Sequence, residues 1–391
     1  MTPKSFNRPL LRSMDAKLTA LVFCAVLVAC KRRAPELHPT PTAEPRGTAV
    51  TAATQTRPSA ATNPATSLAP VKVERDHQAM GTSVKFVVYT NDAVDATAAG
   101  VAIDSAIQEM ARLEAQLSEW QPDSEVSRVN QAAGQWVNVG PETAEIIDEA
   151  LWISEASEGA FDITFHVMGD LWKFGSAEDR RPQVPNAVEV RRRRALIDYH
   201  RVELDRVKSR VRIPKGRKIG LGGIAKGYVV DRAVSVLRTA GLRSFLVQAG
   251  GDFYAAGCKP DGSHWVTGIQ DPRAPEGTYF ATLEIEDHAF STAGDYARAY
   301  VVKAKRYHHI IDPRTGFPAN ASRSVTVYAR DAMTADMVDD AVFVLGPQRG
   351  LKLAESFDDV GVVVVDAKNR LWISPKLKDK VAVHQSPTDG I

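Results

Sequence analysis

The chain has 391 residues, 44% of them hydrophobic and 25% charged, with a formal net charge of +2. That is ordinary globular composition, enough for one large domain or two smaller ones. So small a charge excludes a protein that binds nucleic acid through a strong basic field, and the arginine run at 191–194 reads as a solvated helix face.

The first element is not part of the fold. Lys4, Arg8, Arg12 and Lys17 form a positive region, followed by the apolar stretch LTALVFCAVLVAC at 18–30. This has the length of a signal peptide and is too short for a stable bilayer-spanning helix. Its end, Leu27-Val28-Ala29-Cys30, resembles a bacterial lipobox. The resemblance implies a lipidated Cys30 as the mature N-terminus, holding the protein at the inner or outer membrane of the cell envelope, facing the periplasm. Lys31 follows, so an aspartate-type inner-membrane retention signal is missing. Cys258 would then be the one free thiol of the mature domain, which permits no intramolecular disulfide; it reads as incidental rather than nucleophilic. Residues 31–72 are rich in Ala, Thr and Pro without an apolar stripe, and read as a disordered spacer.

Folded patterning begins at Val73. Val84, Phe86 and Val88 alternate along a strand at 83–89. Ile103, Ile107, Met110, Leu113 and Leu117 make the stripe of a long amphipathic helix. Further helices are expected at 143–156 and 225–240, the latter stopped by Gly241. Strands are expected at 245–247, 281–285, 324–328, 361–365 and 370–374, the last two as a hairpin. The pattern lacks a strict βαβ rhythm. It predicts an α/β or α+β fold: one composite domain over 73–385, with mixed sheets and flanking helices.

Four stretches carry chemistry. Ile219-Gly220-Leu221-Gly222-Gly223-Ile224-Ala225-Lys226-Gly227 places glycines and a lysine at a helix start, which suits a phosphate. It is not a Walker loop, because Gly227 follows the lysine, and its loose dinucleotide fingerprint lacks a good preceding strand. Ala160-Phe161-Asp162-Ile163-Thr164 and Leu171-Trp172-Lys173-Phe174 suit a planar ligand or a core equally. In His308-His309-Ile310-Ile311-Asp312 the neighbouring histidines point apart, so one acts alone or is held by a backbone partner. Finally, TADMVDDAVFVLG at 334–346 sets Asp336 and Asp340 one helical turn apart, with Asp339 on the flank, in a helix apolar nearly all round. Either these acids favour the helix dipole, or they hold a cation; oxygen-only ligands would select Mg²⁺ over zinc.

Taken together and in this order, the stretches resemble the ApbE family of FAD:protein FMN transferases, over roughly 73–375. Further landmarks are Met80-Gly81-Thr82, Leu117 to Glu125 with Asn130, Asp231, Gly250-Gly251-Asp252, and Ser291-Thr292-Ala293-Gly294-Asp295-Tyr296. The resemblance implies a T-fold-like domain that binds FAD and Mg²⁺ and moves FMN onto a Thr or Ser hydroxyl of an acceptor flavoprotein, releasing AMP. It implies FAD contacts at Met80, Trp120, Ala160, Phe161, Asp162, Lys226 and Ile311. It implies metal ligands at the Gly223 carbonyl, Asp336, Asp339 and Asp340, and a catalytic histidine at His309. His309 or a metal-site carboxylate such as Asp336 would serve as base.

Three positions depart from the family pattern: Gly220 and Asp340 stand where Asp and Thr are usual, and Ala293 replaces a usual Ser. The first removes an FAD contact and the second adds charge at the metal. Alternatives are therefore a Mg²⁺-dependent FAD pyrophosphatase giving FMN and AMP, or a lipoprotein that holds FAD without turnover. A nicotinamide dehydrogenase is remote.

Overall fold

An eight-stranded sheet carries the molecule. Its strands run in the order Lys72–Ala79, Thr82–Tyr89, Ser244–Ala249, Asp252–Ala256, His288–Gly294, Ser322–Ala329, Gly361–Asp366 and Leu371–Ile373. Every neighbouring pair is antiparallel, which selects α+β from the two expected classes. The structure, a computed structural model, describes residues 69–174 and 183–390. The leader, Cys30 and nearly all of the spacer lie outside the described residues, as does Gly175.

Among the described residues, seven helices accompany the sheet: α1 (Ala96–Leu117), α2 (Glu125–Gln131), α3 (Pro141–Ala156), α4 (Ala187–Arg194), α5 (Ala225–Thr239), α6 (Ala332–Leu345) and α7 (Pro347–Glu355). The strand pleat sends alternate residues to opposite faces. Val84, Phe86 and Val88 join Phe245, Val247, Val325 and Val327 on one face, against Ile103, Met110 and Leu113 of α1, Val230 and Val234 of α5 and Val338 and Val342 of α6. Val87, Phe253, Phe290 and Val363 face the other way. There they meet Trp265, Phe280, Leu283 and Val381 of a smaller sheet, in the order Val381–Val383, Tyr279–Ile285, Trp265–Gln270.

The long helix, the stop at Gly241 (φ +87°) and the closing hairpin stand where the sequence placed them. Before the Gly-rich loop there is only a short strand, Arg210–Arg212, in a separate three-stranded sheet. The loop is thus not the turn of a βαβ unit. Among the described helices none is long and apolar enough to cross a membrane.

Candidate active site

The site forms where α5 and α6 cross. A Cβ on Gly227 would lie 2.1 Å from the Ala332 carbonyl oxygen, so any side chain there would force the helices apart. The N-terminus of α6 is secured from two sides. Asp331 caps it by accepting from Thr334 N at 2.7 Å, and Asp231 of α5 accepts from Ala332 N and Met333 N at 2.8 and 2.9 Å. The dipole role is thereby filled by other acids. Asp336, Asp339 and Asp340 lie beyond the first turn, where a cap has no use for them.

Asp336 accepts from Gly227 N at 3.0 Å and from Lys226 Nζ at 2.9 Å. The same ammonium donates to Asp252 at 2.5 Å. Asp252 follows the Gly250-Gly251 turn and is buried with Asp336 and Asp339. Ser291 Oγ lies 2.5 Å from Asp339 Oδ2 and also touches Asp252 Oδ1. One hydroxyl proton cannot serve both carboxylates, so the second contact calls for a proton on an acid. The acids are ready to hold one. Burial, with the charge of Asp252, pushes Asp336 up to about 7 against the pull of Lys226. Burial pushes Asp340 up to about 6, and burial plus Asp340 and Asp336 push Asp339 well up. Burial opposes charge on Lys226, but Asp252 and Asp336 outweigh it and raise its pKa.

Above this cluster runs the Gly-rich loop. Asn130 of α2 clamps it, accepting from Ile219 N at 2.7 Å and donating to the Ile219 carbonyl at 2.8 Å, while Gly220 N donates to the Ile163 carbonyl at 2.9 Å. The carboxylate of Asp340 and the ring of Phe161 press against Gly223; a Cβ there would meet them at 2.6 and 3.1 Å. The Gly223 backbone and Asp340 therefore share one spot. The donor set of Asp336, Asp339, Asp340 and backbone oxygen fits a hard divalent cation: it is all oxygen, and a dication would relieve the mutual repulsion. Among the described residues these acids do not converge as three ligand atoms within 4.8 Å of one another.

The two histidines separate cleanly. His308 is buried and hydrogen-bonds the Ala319 carbonyl at 2.7 Å. His309 Nδ1 is out of solvent and has no hydrogen-bond partner among the described residues. Burial pushes His309 down to about 3, with Arg298, His308 and Lys226 adding to the shift, so its ring is neutral at pH 7.

The remaining expected residues divide. Met80 takes a left-handed backbone (φ 52°) at the turn between the first two strands. Trp120 is 76% exposed and meets the His166 ring edge-on at 5.8 Å. Ala160 and Phe161 are buried beside the loop. Asp162 spends its carboxylate locally, accepting from Thr164 N and Oγ1 at 2.8 and 2.6 Å and from Tyr199 N at 3.0 Å. Ile311 is buried in a cluster with Trp172, which stacks on Phe174 and Tyr307 and donates to the Gly316 carbonyl. For Trp172 and Phe174 the core reading holds. Sequence reasoning gave no role to Asp252 or Ser291, though both stood in quoted landmarks. It also passed over His166, whose ring lies 3.0 Å from where a Gly220 Cβ would stand.

The ApbE family model matches residues 80–364. The chain belongs to the ApbE family. It is 34% identical over 243 residues to a Vibrio cholerae protein named FAD:protein FMN transferase, covering 62% of this chain and 72% of that one. A Klebsiella pneumoniae protein of the same name is 31% identical over 294 residues, covering 74% and 88%. Among solved structures, the ApbE protein of Thermotoga maritima aligns with a TM-score of 0.71 at 32% identity, covering 82% of this chain and all of that one. The flavin transferase ApbE of Vibrio cholerae aligns with a TM-score of 0.69 at 29% identity, covering 80% and 99%. This ApbE-family chain thus shares the α+β fold of those structures.

Proposed function

We propose that the protein is an FAD:protein FMN transferase, moving the FMN half of FAD onto a Thr or Ser hydroxyl of an acceptor flavoprotein. Membership of a family whose curated relatives bear that name supports the activity. The observation that carries the chemistry is one juxtaposition: a lysine among buried carboxylates beneath a Gly-rich loop, with an unpartnered imidazole nitrogen near that lysine.

On this reading Met80, Trp120, Ala160, Phe161, Asp162, Lys226 and Ile311 are the FAD-binding positions. The Gly223 carbonyl, Asp336, Asp339 and Asp340 would hold Mg²⁺. When bound, the cation supplies charge neutralisation of the pyrophosphate and polarisation of phosphorus. Lys226 adds fixed positive charge at the same place. The acceptor hydroxyl oxygen forms a bond to the FMN phosphorus as the bond from phosphorus to the bridging oxygen breaks, and AMP leaves. His309 Nδ1, neutral and out of solvent, takes the hydroxyl proton, which leaves with the AMP phosphate. The clamped loop holds the phosphate in line with the incoming hydroxyl, which converts the encounter into a positioned reaction. Residues 31–72 would tether the domain to a lipid on Cys30 in the bacterial envelope, facing the periplasm; loss of lipid labelling in Cys30→Ser checks this.

The full chain incubated with FAD, Mg²⁺ and a threonine-bearing acceptor domain should add one FMN mass to the acceptor and release AMP in equal amount. Free FMN with AMP, whether or not acceptor is present, would replace transfer by hydrolysis. Bound FAD without AMP would overturn both.

A further inference from the structure

A second cluster of ligating side chains stands far from this site. Cys258 leaves the strand Asp252–Ala256, and His264 precedes the strand Trp265–Gln270. The turn between them closes on itself: Lys259 N donates to the Ser263 carbonyl and Gly262 N to the Lys259 carbonyl, both at 2.9 Å. This brings Cys258 and His264 to one end of the turn. Glu286 comes from the turn between the strands Tyr279–Ile285 and His288–Gly294, which carries the chain from the smaller sheet to the eight-stranded one. Asp287 ties the two turns together, accepting from Gly257 N at 3.2 Å and from Arg238 at 2.8 Å. His288 fixes the Glu286 backbone, with Nδ1 2.6 Å from its carbonyl oxygen.

The trio has the dimensions of a metal face. Cys258 Sγ is 3.7 Å from His264 Nδ1 and 3.2 Å from Glu286 Oε1, and His264 Nδ1 is 3.5 Å from Glu286 Oε2. Tetrahedral zinc, with metal–sulfur near about 2.3 Å and metal–nitrogen or –oxygen near about 2.0 Å, needs ligand separations of about 3.3–3.6 Å. The observed separations bracket that range, and one ligand atom from each residue lies within 4.8 Å of the others.

We infer that Cys258, His264 and Glu286 form a site for a borderline divalent transition cation of the zinc class, with its fourth position open to solvent. The ligand chemistry sets it apart from the α6 acids: thiolate and imidazole select zinc, cobalt or copper, where oxygen alone selects magnesium. It is also remote from them. Lys226 lies in the first turn of α5 and Arg238, which holds Asp287, in the last, a rise of about 18 Å at 1.5 Å per residue. Bound metal would clip the two turns together. Without it, the Cys258 thiol donates to Glu286 as an ordinary surface contact.

The test titrates Co²⁺ and then Zn²⁺ into the metal-stripped full chain, with excess Mg²⁺ present to occupy the α6 acids. One equivalent should bind and give a thiolate-to-cobalt charge-transfer band. Cys258→Ser should abolish the band, although Cys24 and Cys30 remain, and weaken Zn²⁺ binding at least about tenfold; Glu286→Gln should weaken it similarly. Mg²⁺-dependent FMN transfer should be unchanged in both variants, and their metal-free melting should match wild type. A wild-type chain without the band, or a Cys258→Ser chain that keeps both band and affinity, would overturn the site.

Discussion

Asp162 and Asp336 are both buried carboxylates, 5% and 2% exposed, yet their surroundings differ. Around Asp162 three donors converge, two from Thr164 and one from Tyr199, and no second acid bonds to it. Around Asp336 the acids outnumber the donors. Asp252, Asp339 and Asp340 crowd the same pocket, and one lysine and one serine hydroxyl are shared among them. Burial raises the pKa of Asp162 as it does those of Asp336, Asp339 and Asp340, so burial alone does not mark function. The distinguishing mark is unsatisfied charge. Asp162 is a carboxylate whose needs the fold has met; the α6 acids carry charge that the donors around them do not balance.

That contrast can be broken by substitution. Asp336→Asn keeps the shape but removes a charge from the cluster, and should lower kcat/KM for FMN transfer by about 10³-fold or more, with the fold retained by melting. Wild-type turnover in this variant would end the distinction. His309→Ala should lower kcat by about 10²-fold while leaving KM for FAD nearly unchanged, because the free Nδ1 handles a proton rather than binding substrate. An effect confined to KM would reassign His309 to binding.

The contrast also has a pH signature. Asp336 and Asp340 are raised to about 7 and about 6, so in the metal-free protein they keep protons well above the usual carboxylate range. A cation binds the deprotonated forms. Apparent Mg²⁺ affinity should therefore fall as pH drops below about 7, by about tenfold per unit for each proton displaced. A flat profile from about pH 5 upward would show that the acids are not the ligands. Asp162→Ala should behave differently, costing about 1–2 kcal/mol of stability through the lost cap and raising KM for FAD, while kcat and the pH profile of Mg²⁺ affinity stay as in wild type.

The sequence made one side of this comparison more legible than the other. Helical stripes and the Gly241 stop located α1 and α5, because periodicity and a left-handed cap are local signals. The helical wheel separated Asp336 and Asp340 from the apolar face of α6, but could not show that Asp331 and Asp231 had already secured its N-terminus. Asp252 and Ser291 went without a role because each sits on a strand at least 26 residues from its partners in the cluster, and only tertiary packing and sheet pairing bring them together. The histidine pair was undecidable locally. His308 finds its acceptor 11 residues away, at Ala319, and that contact leaves His309 as the free one. The same long-range closure hid the Cys258 trio, whose third member arrives from a turn 28 residues further on.

The smallest expected effect concerns Gly220, where the family usually carries Asp. The place its side chain would take is occupied: the His166 ring comes within 3.0 Å of an added Cβ, and this ring also meets Trp120. Burial pushes His166 down to about 4, so it stands there as a neutral ring beside the exposed indole. The departure thus exchanges a carboxylate for an uncharged aromatic surface rather than leaving a gap. Gly220→Ala should displace His166 by a few tenths of an ångström and raise KM for FAD only about twofold to threefold, with kcat unchanged. Gly220→Asp in a His166→Ala background should be tolerated better than Gly220→Asp alone, because the second change vacates the space that the carboxylate needs. If the two substitutions act independently on KM, the ring and the missing side chain do not share one place, and the exchange fails.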